Sequence, residues 1–511
     1  MNSGEPKATE RARRAVGGVR RRYGVLAGVS LVLVLSGCTV GPDFVRPAPP
    51  QAAGYTSGKM PAAIRSTQGQ PGQRLHLQRE ISAQWWDLFH SPQLEQVVRQ
   101  AVAGNRSVAA ARATLAAARE NAAAARGGYY PQVDVSAGAR RRNNAGQPTG
   151  GAGVSNLYTV GPTVSYSLDA FGGTRRQVEQ QQALAEYQGY QLAAAYLSLT
   201  GNAVNQAITI ASLRAQIRAT QDIIAEDARN LSLVRDKFEG GKAARTDVLT
   251  AETQLASDRT LLPPLRQQLS SARHALSILV GRSPAAWSAP DFELENFTLP
   301  RDLPLSLPSA LVRQRPDILA AEARLHADSA AIGVATAQLY PSITLSASIE
   351  QQSLDSATLF NSANRLWSLS GDLLAPIVHG GTLRAQRRAA VDTYRASLAD
   401  YEQTVLQGLQ QVADTLRALD HDAQLVAAQR VLMDTAGEAL QLQRASYAAG
   451  KSNILSLIDA QRAYQQARLG FARARAQRLQ DSAQLFVALG GGWWQAKLSG
   501  PTRPQQGLGQ R

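Results

Sequence analysis

The sequence holds a single cysteine, Cys38, in 511 residues, so no disulfide framework supports the fold. Histidine is nearly as scarce. His76, His90, His274, His326, His379 and His421 fall at no metal-ligand spacing. No P-loop, nucleophile elbow or glycine-rich dinucleotide fingerprint occurs, which leaves nothing to argue for an enzyme. Arg315-Pro316-Asp317 could be taken for a catalytic charge pair, but proline suits a helix start and an acid its first turn. No apolar run approaches the ~20 residues of a transmembrane helix. Aromatics make up 6% of the chain and interleave with no basic run, so the net charge of +15 reads as solvated helix faces. No nucleic-acid partner is expected.

What is present begins with a leader. The first 37 residues carry a net charge of +5, and Arg20-Arg21-Arg22 precede an apolar run from Val25 to Gly37. That run is too short to span a bilayer and matches a signal-peptide core. It ends in Leu35-Ser36-Gly37-Cys38, the pattern of a bacterial lipobox. Residues 1–37 are therefore expected to be a lipoprotein signal, and Cys38 a lipidation site whose acyl chains anchor the protein. Thr39 after the cysteine points to the outer membrane. No other cofactor is expected. Residues 38–83, rich in Pro, Gly, Gln and Ser, read as an acylated tether.

Two copies of one long module follow. Tyr130-Pro131, Gly172-Gly173-Thr174 and Gly240-Gly241-Lys242 return as Tyr340-Pro341, Gly380-Gly381-Thr382 and Ala449-Gly450-Lys451, at offsets of 210, 208 and 209 residues. Three distant landmarks at a near-constant offset indicate an internal duplication. The first repeat is placed at 84–290, a linker at 291–310, the second repeat at 311–494 and a flexible tail at 495–511.

Each repeat alternates apolar and small polar residues with period two: Val133, Val135, Ala137 and Ala139 in one stretch, Ile343, Leu345, Ala347 and Ile349 in another. Strand pairs are expected at about 131–168 and 341–377, with a bulge at Asp372-Leu373-Leu374. One apolar and one small polar face suit a membrane β-barrel wall. Four strands cannot enclose a lumen, so several chains must combine. Long helices are expected at 172–238 and 380–449, each about 100 Å long at ~1.5 Å per residue. Partner helices at 243–281 and 452–489 return from glycine breaks, the first kinked at Pro263-Pro264.

Leu311-Val312-Arg313-Gln314-Arg315-Pro316-Asp317-Ile318, Ile332-Gly333-Val334-Ala335 running on to Tyr340-Pro341-Ser342, Trp85-Trp86 and Leu457-Ile458-Asp459-Ala460-Gln461-Arg462 carry a resemblance. From Cys38 to about Trp494 the chain resembles the outer membrane factor family, the exit ducts of tripartite efflux pumps. Its lipoprotein branch, which serves resistance-nodulation-division transporters, fits best. The resemblance implies an α+β fold: a homotrimer whose twelve strands form one outer-membrane barrel, continuous with a periplasmic α-helical coiled-coil barrel. It implies a passive gated duct for small molecules, a periplasmic adaptor (membrane fusion protein) and an inner-membrane transporter as partners, and contact with outer-membrane lipid. A duct for type I protein secretion is the alternative, and a structural or adhesive trimeric coiled coil a more distant one.

By the same resemblance Asp459 matches a gate carboxylate, Leu455 an apolar gate residue and Tyr447 a tyrosine that holds the closed state. Rings of such residues would filter charge and close an aperture by dewetting. Thr246 and Asp247 occupy the matching tip of the first repeat, placed to hydrogen-bond to the second. Ser456 stands where some members carry a second acid, and Ser452 where they carry an arginine. The helix tips, Gly240, Gly241 and Lys242 in one repeat and Gly450, Lys451, Ser452 and Asn453 in the other, are the expected adaptor contacts.

Overall fold

The computed structural model describes residues 39–52, 54–56, 63–64, 72–77, 79–143 and 153–495. The expected signal segment, Cys38, part of the tether, the loop 144–152 and the tail beyond Gln495 lie outside the described residues. In chain order the elements are β1 (Ala63–Ile64), β2 (Gln73–Leu77), α1 (Pro92–Gly104), α2 (Arg106–Gly127), β3 (Gln132–Asn143), β4 (Val154–Leu168) and α3 (Gly173–Glu239). Then come α4 (Arg245–Arg259), α5 (Leu262–Val280), β5 (Asp302–Leu305), α6 (Pro308–Leu311), α7 (Pro316–Ala337), β6 (Ser342–Ser353), β7 (Arg365–Leu374), α8 (Thr382–Ala448) and α9 (Ile454–Ala488). Two compact units result. No helix among the described residues is long and apolar enough to cross a membrane.

The first unit is a sheet with the helix ends that feed it, from residues up to 46, 117–185 and 323–399. Its order is β3-β4-β6-β7, antiparallel throughout. The period-two pattern dictates the register. Val133 faces Val164, Leu345 faces Tyr166, and Leu369 faces Ala347, so apolar side chains gather on one face. Ser348 and Ser368 pair on the other, their hydroxyls 2.9 Å apart. The apolar face is not a buried core: Val135, Trp367 and Leu369 are about three-quarters exposed in the chain. Such a face is unfavourable in water by ~25 cal/mol per Å² and is what a lipid-facing wall requires.

The expected bulge in β7 is absent. Pairing runs unbroken from Arg365↔Gln351 to Leu374↔Ser342. Asp372 and Leu374 simply share one face, Leu374 closing the last rung. The ladder does lapse between β4 and β6, at Gly161-Pro162. Pro162 has no N–H to donate, and a Cβ on Gly161 would lie 2.1 Å from the Ile349 carbonyl oxygen. Thr39 to Asp43 are pinned beside the sheet. Val40 N–H donates to the Phe171 carbonyl at 3.1 Å, and the buried Arg176 reaches the Asp43 carboxylate at 2.6 Å.

The second unit is helical, from residues 47–116, 186–322 and beyond 400. Its main core gathers Trp85, Phe89, Leu94, Val98, Ile208, Leu276, Phe292 and Phe486, with Trp85 stacked on Phe486 at 5.3 Å. Leu94, Val97, Val98 and Ala101 are buried, as their spacing requires. The tether and linker are not wholly irregular. β2 pairs parallel with β5 (Arg74↔Asp302 to Leu77↔Leu305), and β1 pairs antiparallel with β2. The buried Gln73 amide fixes this sheet by donating to the Pro300 carbonyl at 3.0 Å and to Ser482 Oγ at 3.1 Å. A five-residue strand whose partner lies more than 220 residues away leaves too short a pattern to read. Arg315 is buried as well. It forks onto Asp317 at 3.0 and 2.6 Å and donates to the Ala488 carbonyl at 2.7 Å, closing the end of α9.

The long helices stand within two residues of expectation, with one correction. The segment 243–281 is two helices rather than one kinked helix, because Thr260 and Leu261 separate α4 from α5. Pro263 and Pro264 then fall in the first turn of α5, where a missing N–H removes no helical hydrogen bond.

Candidate functional site

Two helix hairpins end in the same device. Where α3 ends, Gly241 N–H bonds to the Phe238 carbonyl at 2.9 Å and Lys242 N–H to that of Lys237 at 2.7 Å. Where α8 ends, Gly450 N–H bonds to the Tyr447 carbonyl at 3.1 Å and Lys451 N–H to that of Ser446 at 2.9 Å. Both glycines are left-handed, with φ of 71° and 73°. This is the Schellman arrangement, and it satisfies the orphan carbonyls of each last turn. Gly240, Lys242, Lys451 and Asn453 are exposed, and Ser452 is half-buried.

The returning helices are capped by opposite means. Asn453 accepts the Ser456 N–H at 2.9 Å and the Ser456 hydroxyl at 2.9 Å. In the first hairpin position 244 is alanine and supplies no cap, so Asp247 reaches back to accept the Ala244 N–H at 3.0 Å. The expected hydrogen bond from Asp247 to the second hairpin does not appear. Its carboxylate serves its own helix start, because an acid at the third helical position lies within reach of the unpaired N–H at the cap. Thr246 is exposed, and its carbonyl accepts from the Thr250 hydroxyl at 2.8 Å.

Between the hairpins lies a small core: Leu231, Val234, Val248, Ala251, Leu255, Leu440, Tyr447, Ile454, Leu457 and Ile458. Tyr447 is buried in it. Lys237 Nζ sits 3.8 Å from the centre of its ring and donates to its carbonyl at 3.4 Å. Burial, and then the charge of Asp247, raise the Tyr447 phenol above its ordinary value. Leu455 and Asp459, one helical turn apart on α9, point away from this core. Leu455 is 54% exposed, and Asp459 is exposed too. An apolar side chain and a carboxylate on one uncovered stripe are available to whatever approaches that face.

Reading the sequence missed three neighbours. Lys237 is one, since only the fold brings it to Tyr447. The others are Asp227 and Asp258, both buried at the inner edge of the small core. Burial first, then hydrogen bonding and repulsion from Asp258, then Glu226, push the Asp227 carboxyl up to about 8, with Arg462 opposing. Asp258 accepts from Gln254 at 2.7 Å, and Gln254 accepts from Arg462 at 2.7 Å. The signal was present: Ile224, Asp227, Leu231 and Val234 keep a heptad spacing, which puts an acid in the core register.

The outer membrane efflux protein family profile matches residues 97–282 and 307–491. The chain is 30% identical over 486 residues to the toluene efflux pump outer membrane protein TtgF of Pseudomonas putida, covering 91% of this chain and 96% of that one. It is 26% identical over 473 residues to the probable outer membrane lipoprotein SilC of Salmonella typhimurium, covering 92% and 98%. Among solved structures it superposes on the outer-membrane channel OprN with a TM-score of 0.81 at 29% identity, covering 89% of this chain and all of the other.

Proposed function

The chain belongs to the outer membrane efflux protein family, and from that premise we propose how it works: as a passive, gated duct assembled from three copies. It is the outer-membrane channel component of an efflux system and a transport protein rather than an enzyme. The four-stranded sheet exposes one apolar face, and its edge strands β3 and β7 have no outer strand partner among the described residues, which supports a closed wall of twelve strands from three chains. The two profile matches, and the same glycine device at both tips, support the internal duplication. Cys38 would carry the lipid anchor, and the pinned residues Thr39 to Asp43 would hold that anchor beside the sheet. The hairpin tips, Gly240 to Lys242 and Gly450 to Asn453, would meet a periplasmic adaptor that links the duct to an inner-membrane transporter. Small molecules are the cargo, in keeping with the toluene named for one relative.

The gate reading rests on one observation: Leu455 and Asp459 share an exposed stripe beside a tip that Tyr447 and Lys237 hold together. Three such stripes facing one axis would form an apolar constriction and a ring of carboxylates, closing by dewetting and by charge. Planar-bilayer conductance of the purified protein tests this. Leu455→Ala/Asp459→Ala is expected to convert small, flickering currents into large, steady ones. Equal large currents in both proteins would move the gate elsewhere, and silence in both would remove the duct.

A further inference from the structure

The four strands β3, β4, β6 and β7 carry seven charged residues, and the register sorts them by face. Arg141 and Arg365 lie on the apolar face, in register with Asn156 and Gln351. The other five share the polar face, and their order along the ladder is not mixed. From the helix-bearing end, Asp372 comes first, in the rung of Thr344. Asp134 follows, in the rung of Thr163 and Ser348, and Glu350 after it, opposite Leu366. Arg140 and Arg142 come last, paired with Leu157 and Ser155 at the hairpin end. Nothing nearby in the sequence offsets them, since the loop 144–152 contains no acidic residue. In the other hairpin loop, Asp355 is used as a cap, its carboxylate accepting from the Ala357 N–H at 3.0 Å.

We propose that Arg140 and Arg142 form a cationic outlet that selects by charge, opposite in sign to the acidic stretch of Asp372, Asp134 and Glu350 behind it. The inference rests on the duct reading, in which the polar face lines the lumen. All four strands connect to their helices at the Gln132, Leu168, Ser342 and Leu374 ends, so the arginines occupy the end far from the helices. Repeated in three chains, they make six guanidinium groups around the mouth. Arginine keeps its charge at every physiological pH, so the outlet is permanent rather than titratable. It draws anionic solutes outward and opposes re-entry of cations. A lumen negative at one end and positive at the other also conducts unequally in the two directions. This holds when the screening length approaches the pore radius, about 10–30 Å between 0.1 and 0.01 M salt, and vanishes near 1 M, where it is about 3 Å.

The test is current–voltage and reversal-potential measurement of the full-length trimer in planar bilayers under a KCl gradient. It is made in the wild type and in the Leu455→Ala/Asp459→Ala background, so the outcome does not depend on where the gate lies. Arg140→Gln/Arg142→Gln is expected to shift permeability toward K⁺ by about twofold or more and to abolish low-salt rectification, as removal of a fixed-charge ring requires. Arg141→Gln, on the other face, is expected to change neither. An unchanged reversal potential in the double variant, or an equal shift in Arg141→Gln, overturns the outlet while leaving the duct intact. No current in any variant overturns the duct reading, and the outlet with it.

Discussion

The two hairpin tips share a backbone and differ in what they present. At the 209-residue offset of Gly241 and Gly450, Phe238 matches Tyr447, Thr246 matches Leu455 and Thr250 matches Asp459. Both tips close on the same pair of backbone hydrogen bonds. Yet Phe238 is 39% exposed where Tyr447 is buried. The exposed stripe of the first returning helix carries hydroxyls where the second carries an apolar group and a charge. The element that ends a helix stands in both hairpins, and the side chains proposed to form the gate stand in one.

The buried acids divide the two hairpins in the same way. Asp227 and Asp258 stand where the second half has Ala436 and Ala467, all four buried. Asp422, buried beside Asp481 and raised to about 7 mainly by burial, stands where the first half has Leu213. Each hairpin therefore holds one acid pair, with both acids buried in the first and Asp422 alone buried in the second, at a level where the other hairpin is apolar.

The largest effect expected from this comparison is at the aromatic pair. Tyr447→Ala should open the tip core at a cost of about 3 kcal/mol, while Phe238→Ala should cost less than about 1 kcal/mol. Hydrogen exchange of the amides around 447 and 238 reads both, and equal losses would break the asymmetry. Next come the acids. An aspartate whose carboxyl is raised to about 8 in the folded state, against an ordinary value near 3.8, binds more protons folded than unfolded between those limits. Its favourable contribution is present at low pH and is lost as pH rises toward 8. The protein should therefore melt higher at pH 6 than at pH 8. Asp227→Asn should recover on the order of 1 kcal/mol at pH 8, or about 2 °C, and flatten that slope. A slope unchanged by this substitution would place the titrating group elsewhere. The caps should act alike despite their different chemistry: Asn453→Ala and Asp247→Ala each cost about 1 kcal/mol. The smallest contrast is between the glycines. Gly241→Ala and Gly450→Ala should each cost about 1 kcal/mol and differ little, because a Cβ at either position meets no neighbour and only φ is strained. Thermal melts of the variants side by side check both pairs.

What the sequence made legible follows from local physics. Period-two alternation located both strand pairs, and glycine breaks located both tips, because each signal lies within a dozen residues. The segment 243–281 reads as one helix kinked at Pro263-Pro264, whereas it is two helices parted at Thr260-Leu261, since a proline marks a first turn as readily as a kink. The parallel pairing of Gln73–Leu77 with Asp302–Leu305, the clamp of Arg315 on Ala488, and Lys237 over Tyr447 join distant stretches. No local pattern announces such contacts. Asp227 is the intermediate case: its core register was readable, but its partner Asp258 on the next helix was not.

The most direct test is to exchange the tips. Conductance of Leu455→Thr/Asp459→Thr, which gives the second tip the residues of the first, should rise to large and steady currents. Thr246→Leu/Thr250→Asp should leave the duct closed. Unchanged currents in the first exchange, with larger currents in Thr246→Ala/Thr250→Ala, would contradict the account and place the gate on the other hairpin.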